Sequence, residues 1–331
     1  MDQITPKAVK EFKIVGTRPL RPDGIDKVTG KAMYGADLYA PNMFYGCLLR
    51  INEPHAFIES IDTSTAEELP GVKSIVTFKD FLKNNPENIN NPILENCIAN
   101  EKVLYDGHAV AAIAAVDLNT AKKALKLIKV KYKKLPFVIN IEEAMKTGAP
   151  IVSVGKKNEN IPDGYSDNVI QYCSFGHGNL EDGFKAADKV IKRTFKTPSV
   201  HQGYIEPHAC LASMSNDGKA DLWCCTQGHF NVRSICCNIF KMDNSQLKVT
   251  ASEIGGGFGG KTTVFIEPIA LALSQKSGHP VKMVMSREDV FKATGPTVSS
   301  LVDVEVGMKK TGKITAARAI IRYEGGAFPN E

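Results

Sequence analysis

The sequence predicts an α+β protein made of two mixed segments, and three observations predict it. Strand-type and helix-type periodicities alternate along the chain. An almost unbroken apolar run, AVAAIAAV (109–116), leads directly into a helical repeat, DLNTAKKALKLI (117–128). A Gly/Pro/Asp/Asn-rich stretch, GAPIVSVGKKNENIPDGYSDN (148–168), divides the chain and reads as a linker.

In chain order, a loop rich in turn residues (18–41) precedes FYGCLLRI (44–51), which reads as a strand, and VKSIVTF (72–78) reads as another. The run 109–116 lacks polar alternation, as a strand buried on both faces should. DLNTAKKALKLI opens on Asn and Thr and spaces its apolar residues for a helix packed on that strand. Ile128, Val130 and Tyr132 then alternate with lysines until Pro136 stops the strand. Beyond the linker, NLEDGFKAAD (179–188) is helical and KVIKRTFKT (189–197) alternates as a strand. CLASMS (210–215), DLWCCTQ (221–227) and QLKVTASEI (246–254) are further strands, and KITAARAIIRYEGG (313–326) closes the series. NVRSICCNIF (231–240) is a helix between two of them, and VFIEPIALALSQKSG (264–278) is a second helix ending at Gly278. No internal repeat recurs at a fixed period.

With 331 residues, 43% hydrophobic and 23% charged, the chain is globular and long enough for two cores. Lys and Arg total 41 against 36 Asp and Glu, and they are scattered apart from KVKYKK (129–134) and Lys309–Lys310. KVKYKK reads as one solvated strand face, with no interleaving of aromatic and basic residues to suggest nucleic acid. None of the eight cysteines stands in C-x-x-C spacing, and neighbours such as Cys224 and Cys225 on a strand point to opposite faces, so they read as buried free thiols. MDQITPKAVKEFKIVG (1–16) has no signal-peptide core, and no run of about 18 apolar residues occurs. A reducing, cytoplasmic setting without a membrane span is the expectation.

The chemistry concentrates at EIGGGFGGKTT (253–263). From Gly255 it fits G-x-x-x-x-G-K-[ST], the loop that cradles nucleotide phosphates, with Gly260, Lys261 and Thr262 in the diagnostic places. Such a loop also needs an aspartate ending an apolar strand to hold Mg²⁺. No such run follows Thr262, and the one candidate, ending at Asp117, lies in the other segment. The strand before the loop carries Lys248, Thr250 and Ser252 where a buried central strand should be apolar, and Pro268 stands early in the next helix. The sequence therefore argues against a nucleotide triphosphatase. Glycines at this density equally suit a backbone that must approach a cofactor closely.

Motifs in matching order across nearly the whole chain carry a resemblance. RPDGIDKVTGKAMYGAD (21–37), RINEPHAFI (50–58), VLYDGHAVAAIAAV (103–116) and LIKVKYKKLP (127–136) resemble the hammerhead domain of the molybdenum-binding subunit in the xanthine dehydrogenase/aldehyde oxidase family. VHQGYIEPHACLA (200–212), CTQGHFNVR (225–233) and GGGFGGK (255–261) resemble the first part of its molybdopterin-binding region. The resemblance implies a hammerhead-type mixed α/β domain at 18–145 and an incomplete first segment of a molybdopterin-binding domain at 165–331. It implies a molybdopterin cofactor, either plain or as its cytosine dinucleotide. It further implies [2Fe-2S] clusters and FAD on an iron-sulfur subunit and a FAD-binding subunit, and oxidation of an aldehyde or N-heterocycle or reduction of an aromatic acyl-CoA. Gln227, Gly257, Phe258 and Gly259 would bind the cofactor. Of these, Gln227 and Phe258 would lie beside the molybdenum without ligating it, Gln227 hydrogen-bonding the apical oxo group and the amides of Phe258 and Gly259 lying near the metal's ligands. On residues alone, Gln227 also reads as a polar strand end and GGGFGGK as a plain turn. A non-catalytic structural or assembly subunit is the alternative.

Other residues have plainer readings. His201 and His208 are separated by Gly203 and Pro207 and lack a third ligand at zinc spacing. Glu206 has the chemistry of a general base, yet in the resemblance its segment lies near the site without supplying one. His55 should satisfy backbone groups at a turn, and Lys261 should close the loop by pairing with a carboxylate or a carbonyl. In relatives acting on purines, a glutamate follows GGGFGGK; here Thr262 stands there, a neutral residue expected to line the substrate face. The family's later elements, including its general base, are not found before GGAFPNE (325–331), so no catalytic residue is expected in this chain, which reads either as an amino-terminal fragment of a longer subunit or as one half of a split subunit completed by a second molybdopterin-binding polypeptide.

Overall fold

The computed structural model describes residues 12–152 and 160–328. The opening residues 1–11, residues 153–159 of the predicted linker and residues 329–331 lie outside the described residues. Residues up to Met33 form one compact unit and those from Tyr34 onward another. In the first, the short helix Gly24–Thr29 ends on Gly30 in the left-handed conformation, the residue type that adopts it without cost.

The second unit holds thirteen strands among its described residues. Before the linker come β1 (Phe44–Ile51), β2 (Ala56–Asp62), β3 (Val72–Val76), β4 (Lys102–Val103), β5 (His108–Ala115) and β6 (Lys129–Lys134). After it come β7 (Lys189–Thr197), β8 (Ala209–Met214), β9 (Ala220–Cys224), β10 (Leu247–Ala251), β11 (Val281–Val284), β12 (Ser300–Met308) and β13 (Ile314–Tyr323). Seven of them form one sheet in the order β10-β9-β8-β11-β1-β5-β3, flanked by the small sheets β13-β12-β7 and β4-β2-β6.

Strands from both sides of residues 148–168 meet in the large sheet, because β1 pairs in parallel with β11, Phe44 opposite Val281. The two segments, distinct along the chain, therefore share a core. Val76, Phe81, Leu94 and Ile98 from the first pack with Leu222, Ile239, Leu247 and Ile269 from the second. β5 is buried at every position, as its missing alternation predicts.

β1, β7 and the helix Leu118–Leu125 fall where the sequence puts them, the helix being capped by Asp117, whose carboxylate accepts from Thr120 N. β3 stops at Val76, short of Phe78, because Thr77 and Asp80 form a capping box that starts the helix Phe78–Asn84. The helix expected from Val264 begins at Glu267: its buried carboxylate accepts from Phe265 N and Ile266 N, and Pro268 occupies the first turn. Its first eight residues are buried. The lysines of β6 are exposed, as expected. No helix among the described residues is long and apolar enough to cross a membrane.

Candidate active site

β9 runs out into Cys225-Thr226-Gln227, and the helix His229–Phe240 starts immediately after Gly228. β10 ends at Ala251, and the chain then forms the glycine loop beside that segment. Because β9 and β10 are parallel neighbours, both crossings leave from the same end of the sheet, the place where open α/β sheets bind ligands.

Hydrogen bonds join the two crossings. Gln227 N donates to Lys261 O (2.8 Å), and Thr226 Oγ1 donates to the same carbonyl (3.1 Å). Gln227 Oε1 accepts from Gly259 N (3.1 Å) and Lys261 N (3.3 Å). Two backbone donors fix which end of the amide faces the loop, so Nε2 is turned away with two hydrogens to give. They have no partner among the described residues. Gly257 must lack a side chain for this to occur: a Cβ there would stand 2.6 Å from Gln227 Cδ and nearer still to Oε1. Gly256 (φ +97°), Phe258 (φ +50°) and Gly259 (φ +86°) take left-handed conformations, uncommon for a phenylalanine. Thr262 Oγ1 donates to Gly259 O (3.2 Å).

Burial sorts the loop into two layers. Gln227, Phe258, Gly259 and Thr262 are exposed together on a rim, while Gly257, Gly260 and Lys261 lie beneath. Lys261 is 1% exposed and its Nζ meets Glu206 Oε2 at 2.7 Å, 4.9 Å from the Tyr204 ring centre. The pairing expected of Lys261 is thus with a carboxylate. An ammonium held inward in this way cannot reach a phosphate above the loop, which removes the nucleotide reading. Glu206 also accepts from Gly255 N (2.8 Å) and Gly35 N (3.3 Å), so it supports the loop and is not presented as a general base.

The histidines are structural. His208 Nε2 meets Tyr204 Oη at 2.8 Å, and that hydroxyl also meets Thr294 Oγ1, which His201 Nε2 approaches at 3.0 Å. Burial, and then the Lys261 charge, push His208 down to about 3, so it is neutral. His55 Nδ1 lies 2.7 Å from Pro136 O, satisfying a turn carbonyl as expected. Burial likewise raises the Glu267 carboxyl, against the pull of the backbone N–H groups it accepts from. Sequence reasoning missed Glu267; the E-P pair opening a helical repeat was the available signal.

The rim fits a cofactor that brings its own metal ligands. Among the described residues no group of three His, Cys, Asp or Glu side chains is placed to hold a metal. At Gly259 a Cβ would meet nothing within 4 Å, so the backbone is open to an approaching group. Of the two loop amides expected near the metal, that of Phe258 has no partner among the described residues and that of Gly259 is held by Gln227. A hollow of 430 Å³ lined by Asn42, Phe44, Lys73, Lys276 and His279 includes no residue of the loop.

Comparison with known proteins agrees with this geometry. Residues 161–331 match the molybdopterin cofactor-binding domain family, and residues 29–136 match the aldehyde oxidase and xanthine dehydrogenase a/b hammerhead domain. The chain is 33% identical over 309 residues to a probable xanthine dehydrogenase subunit of Bacillus subtilis, covering 93% of this chain and 40% of that one. It is 27% identical over 322 residues to the nicotinate dehydrogenase large molybdopterin subunit of Eubacterium barkeri, covering 96% and 72%. Among solved structures, reconstituted CO dehydrogenase from Oligotropha carboxidovorans superposes with a TM-score of 0.78 at 30% identity, over 92% of this chain and 39% of that one. Quinoline 2-oxidoreductase from Pseudomonas putida 86 shares the fold with a TM-score of 0.80 at 24% identity, over 92% and 38%. The chain thus spans about two-fifths of most of these relatives and 72% of one. With both domain types matched in order and a rim suited to the cofactor, the chain belongs to the xanthine dehydrogenase/aldehyde oxidase family of molybdopterin-binding oxidoreductase subunits.

Proposed function

We propose that this chain supplies one wall of a molybdenum hydroxylase active site, with the domains extending over 18–145 and 165–331. Gln227, Gly257, Phe258 and Gly259 hold the molybdopterin cofactor, plain or as its cytosine dinucleotide, and Thr262 lines the substrate side. When bound, the cofactor supplies two-electron oxidation with oxygen derived from water; the substrate is an aldehyde or N-heterocycle, or an aromatic acyl-CoA in the reductive direction.

The observation that carries this reading is the Gln227 amide, locked by Gly259 N and Lys261 N so that Nε2 points its hydrogens off the rim. An amide suits the task because it donates a hydrogen bond and has no proton to lose. Phe258, 74% exposed with a left-handed backbone, presents its ring on the same rim, and Thr262 offers an oxygen that accepts, its hydrogen being given to Gly259 O. Proton transfer at the substrate falls to a base on another segment or polypeptide, since Glu206 is committed to Lys261.

Partners are part of the proposal: a second molybdopterin-binding polypeptide or segment, an iron-sulfur subunit and a FAD-binding subunit, in the cytoplasm. The small sheet β13-β12-β7 supports the first. Register places Phe195, Val302 and Ile321 in one row, Arg193, Val304 and Ala319 in the next, and Ile191, Val306 and Ala317 in a third, all on one face, with Arg193 the single charge in these rows. Phe195 is 56% and Ile321 51% exposed, an apolar face of the kind that marks an interface. The opposite face carries Glu305 with Lys192 and Arg318, and Asp303 with Arg322.

The test is elemental and kinetic. The native complex should contain about one molybdenum per copy of this chain, and Gln227→Ala should lower turnover by about tenfold or more if one hydrogen bond of 1.5–3 kcal/mol acts in the transition state. An active complex free of molybdenum would sink the proposal, as would unchanged turnover in the variant.

A further inference from the structure

Lys261 acts in two directions at once. Its side chain goes inward, where Nζ meets Glu206 Oε2 at 2.7 Å and lies against the Tyr204 ring. Its backbone faces outward and holds Gln227 from both sides: its carbonyl accepts from Gln227 N, and its N–H donates to Gln227 Oε1 at 3.3 Å. Glu206 in turn grips the far end of the loop. Its Oε2 accepts from Gly255 N at 2.8 Å, and its own N–H donates to Gly255 O at 3.3 Å. One carboxylate therefore pins both the entry and the exit of the glycine loop.

The carboxylate is itself braced. Arg287 donates to the carbonyls of Tyr204 and Ile205, fixing the backbone just before Glu206. Tyr204, tied by its hydroxyl to His208 and Thr294, forms a wall that the loop can approach only at glycines: a Cβ on Gly260 would stand 2.9 Å from Tyr204 Cε1, and one on Gly256 3.1 Å from Tyr204 Cβ. Only a charged carboxylate accepts from the ammonium, Gly255 N and Gly35 N together. A glutamine would turn an NH₂ toward one of these donors.

We infer that Glu206 and Lys261 are positioning residues for the rim, setting where the Gln227 amide stands without touching what the rim binds. That the rim faces the cofactor rests on the function proposed above; the pair's hold on Gln227 does not. A buried ion pair that served stability alone would be replaceable by a neutral pair of similar volume. A pair that sets position would not be.

The experiment compares the full native chain in its complex with E206Q/K261M, in which both charges are removed, and with E206D, which keeps the charge but withdraws it by one methylene. Unfolding is followed by circular dichroism, amide hydrogen exchange is read on the peptide 252–263, and molybdenum is measured in the purified complex. The expected result for the double variant is cooperative unfolding close to wild type, with exchange at the backbone amides of positions 259 and 261 about tenfold faster or more, the loss of one hydrogen bond's protection, and lowered molybdenum content. E206D should accelerate the same two amides, so the inference stays testable if the double variant does not fold. Wild-type exchange at the backbone amides of positions 259 and 261 in either folded variant overturns it. Faster exchange with full molybdenum content would uphold the positioning pair while refuting the cofactor reading of the rim.

Discussion

Gly257→Ala should unseat Gln227 while leaving the fold in place. Gly257 is not among the left-handed glycines, so its backbone accepts an alanine without conformational strain. The three atoms nearest the added methyl would all belong to the Gln227 side chain, with Cδ at 2.6 Å, Cγ at 3.1 Å and Oε1 nearer still. A side chain can swing away where a backbone cannot, so Gln227 should leave, and Oε1 loses its bonds from Gly259 N and Lys261 N. Two such bonds are together worth about 1–3 kcal/mol. Urea denaturation measures that loss, and a double-mutant cycle assigns it. In a Gln227→Ala background the clash partner is gone, so adding Gly257→Ala should cost nearly nothing, leaving a coupling of about 1–3 kcal/mol. Gly259→Ala is the control: a Cβ there meets nothing, but φ is +86°, so it should cost about 1–2 kcal/mol whether or not Gln227 is present. If Gly257→Ala is equally costly in both backgrounds, Gln227 is not what the missing side chain makes room for.

Three further outcomes are expected. Stability should fall with acid: His108 and His208 are held near 3 by burial, below the unfolded value of 6.5, so as pH drops through 6.5 toward 3 the unfolded chain takes up protons that the folded chain refuses. Each should cost about 3 kcal/mol at pH 4, read as a falling urea midpoint; a midpoint flat from pH 7 to 4 contradicts the burial argument. Thr262→Glu should shift kcat/KM ratios toward purine-like rings by about one to two powers of ten, through a charge-assisted hydrogen bond of about 1.5–3 kcal/mol, and unchanged ratios in a molybdenum-replete complex would remove Thr262 from the substrate face. If the proposed second molybdopterin-binding part is a separate polypeptide, Phe195→Lys with Ile321→Lys should abolish its association while leaving the secondary structure intact; co-purification at wild-type yield would place that contact elsewhere.

Local signals in the sequence were legible where the residues that decide an element are neighbours. The alternation in KVIKRTFKT, the uniform apolarity of β5 and the helical spacing after it all act within a few positions, and each element lies close to where it reads, the cap of the helix being Asp117 and not the Asn and Thr that signalled it. β11 did not announce itself: four residues, VKMV, become a strand only because β1 and β8 stand on either side of them. By contrast, Val302, Val304 and Val306 alternating with Asp303 and Glu305 make β12 readable, as do Ser286 and Asp289 for the helix Arg287–Ala293. At the site, Gln227 and the loop were legible as a pattern. The partner of Lys261 was legible only as a class, because Glu206 lies 55 positions away and nothing local selects it over any other carboxylate.

The parallel pairing of β1 with β11 has a consequence for how the chain is made. β1 is complete by Ile51, and β5 can settle against one of its edges once Ala115 is available, but its other edge waits for Val281. A strand paired along both edges in the finished molecule thus waits through the synthesis of more than two hundred residues with a row of bare amides and carbonyls, the surface on which nascent chains stick to one another. Closing it spans a separation of more than two hundred residues, which makes the last pairing the slow one. The yield of this protein in any host should therefore depend on what shields Phe44–Ile51 during that interval, and cooling or added chaperone should raise it more than any substitution that improves the finished core.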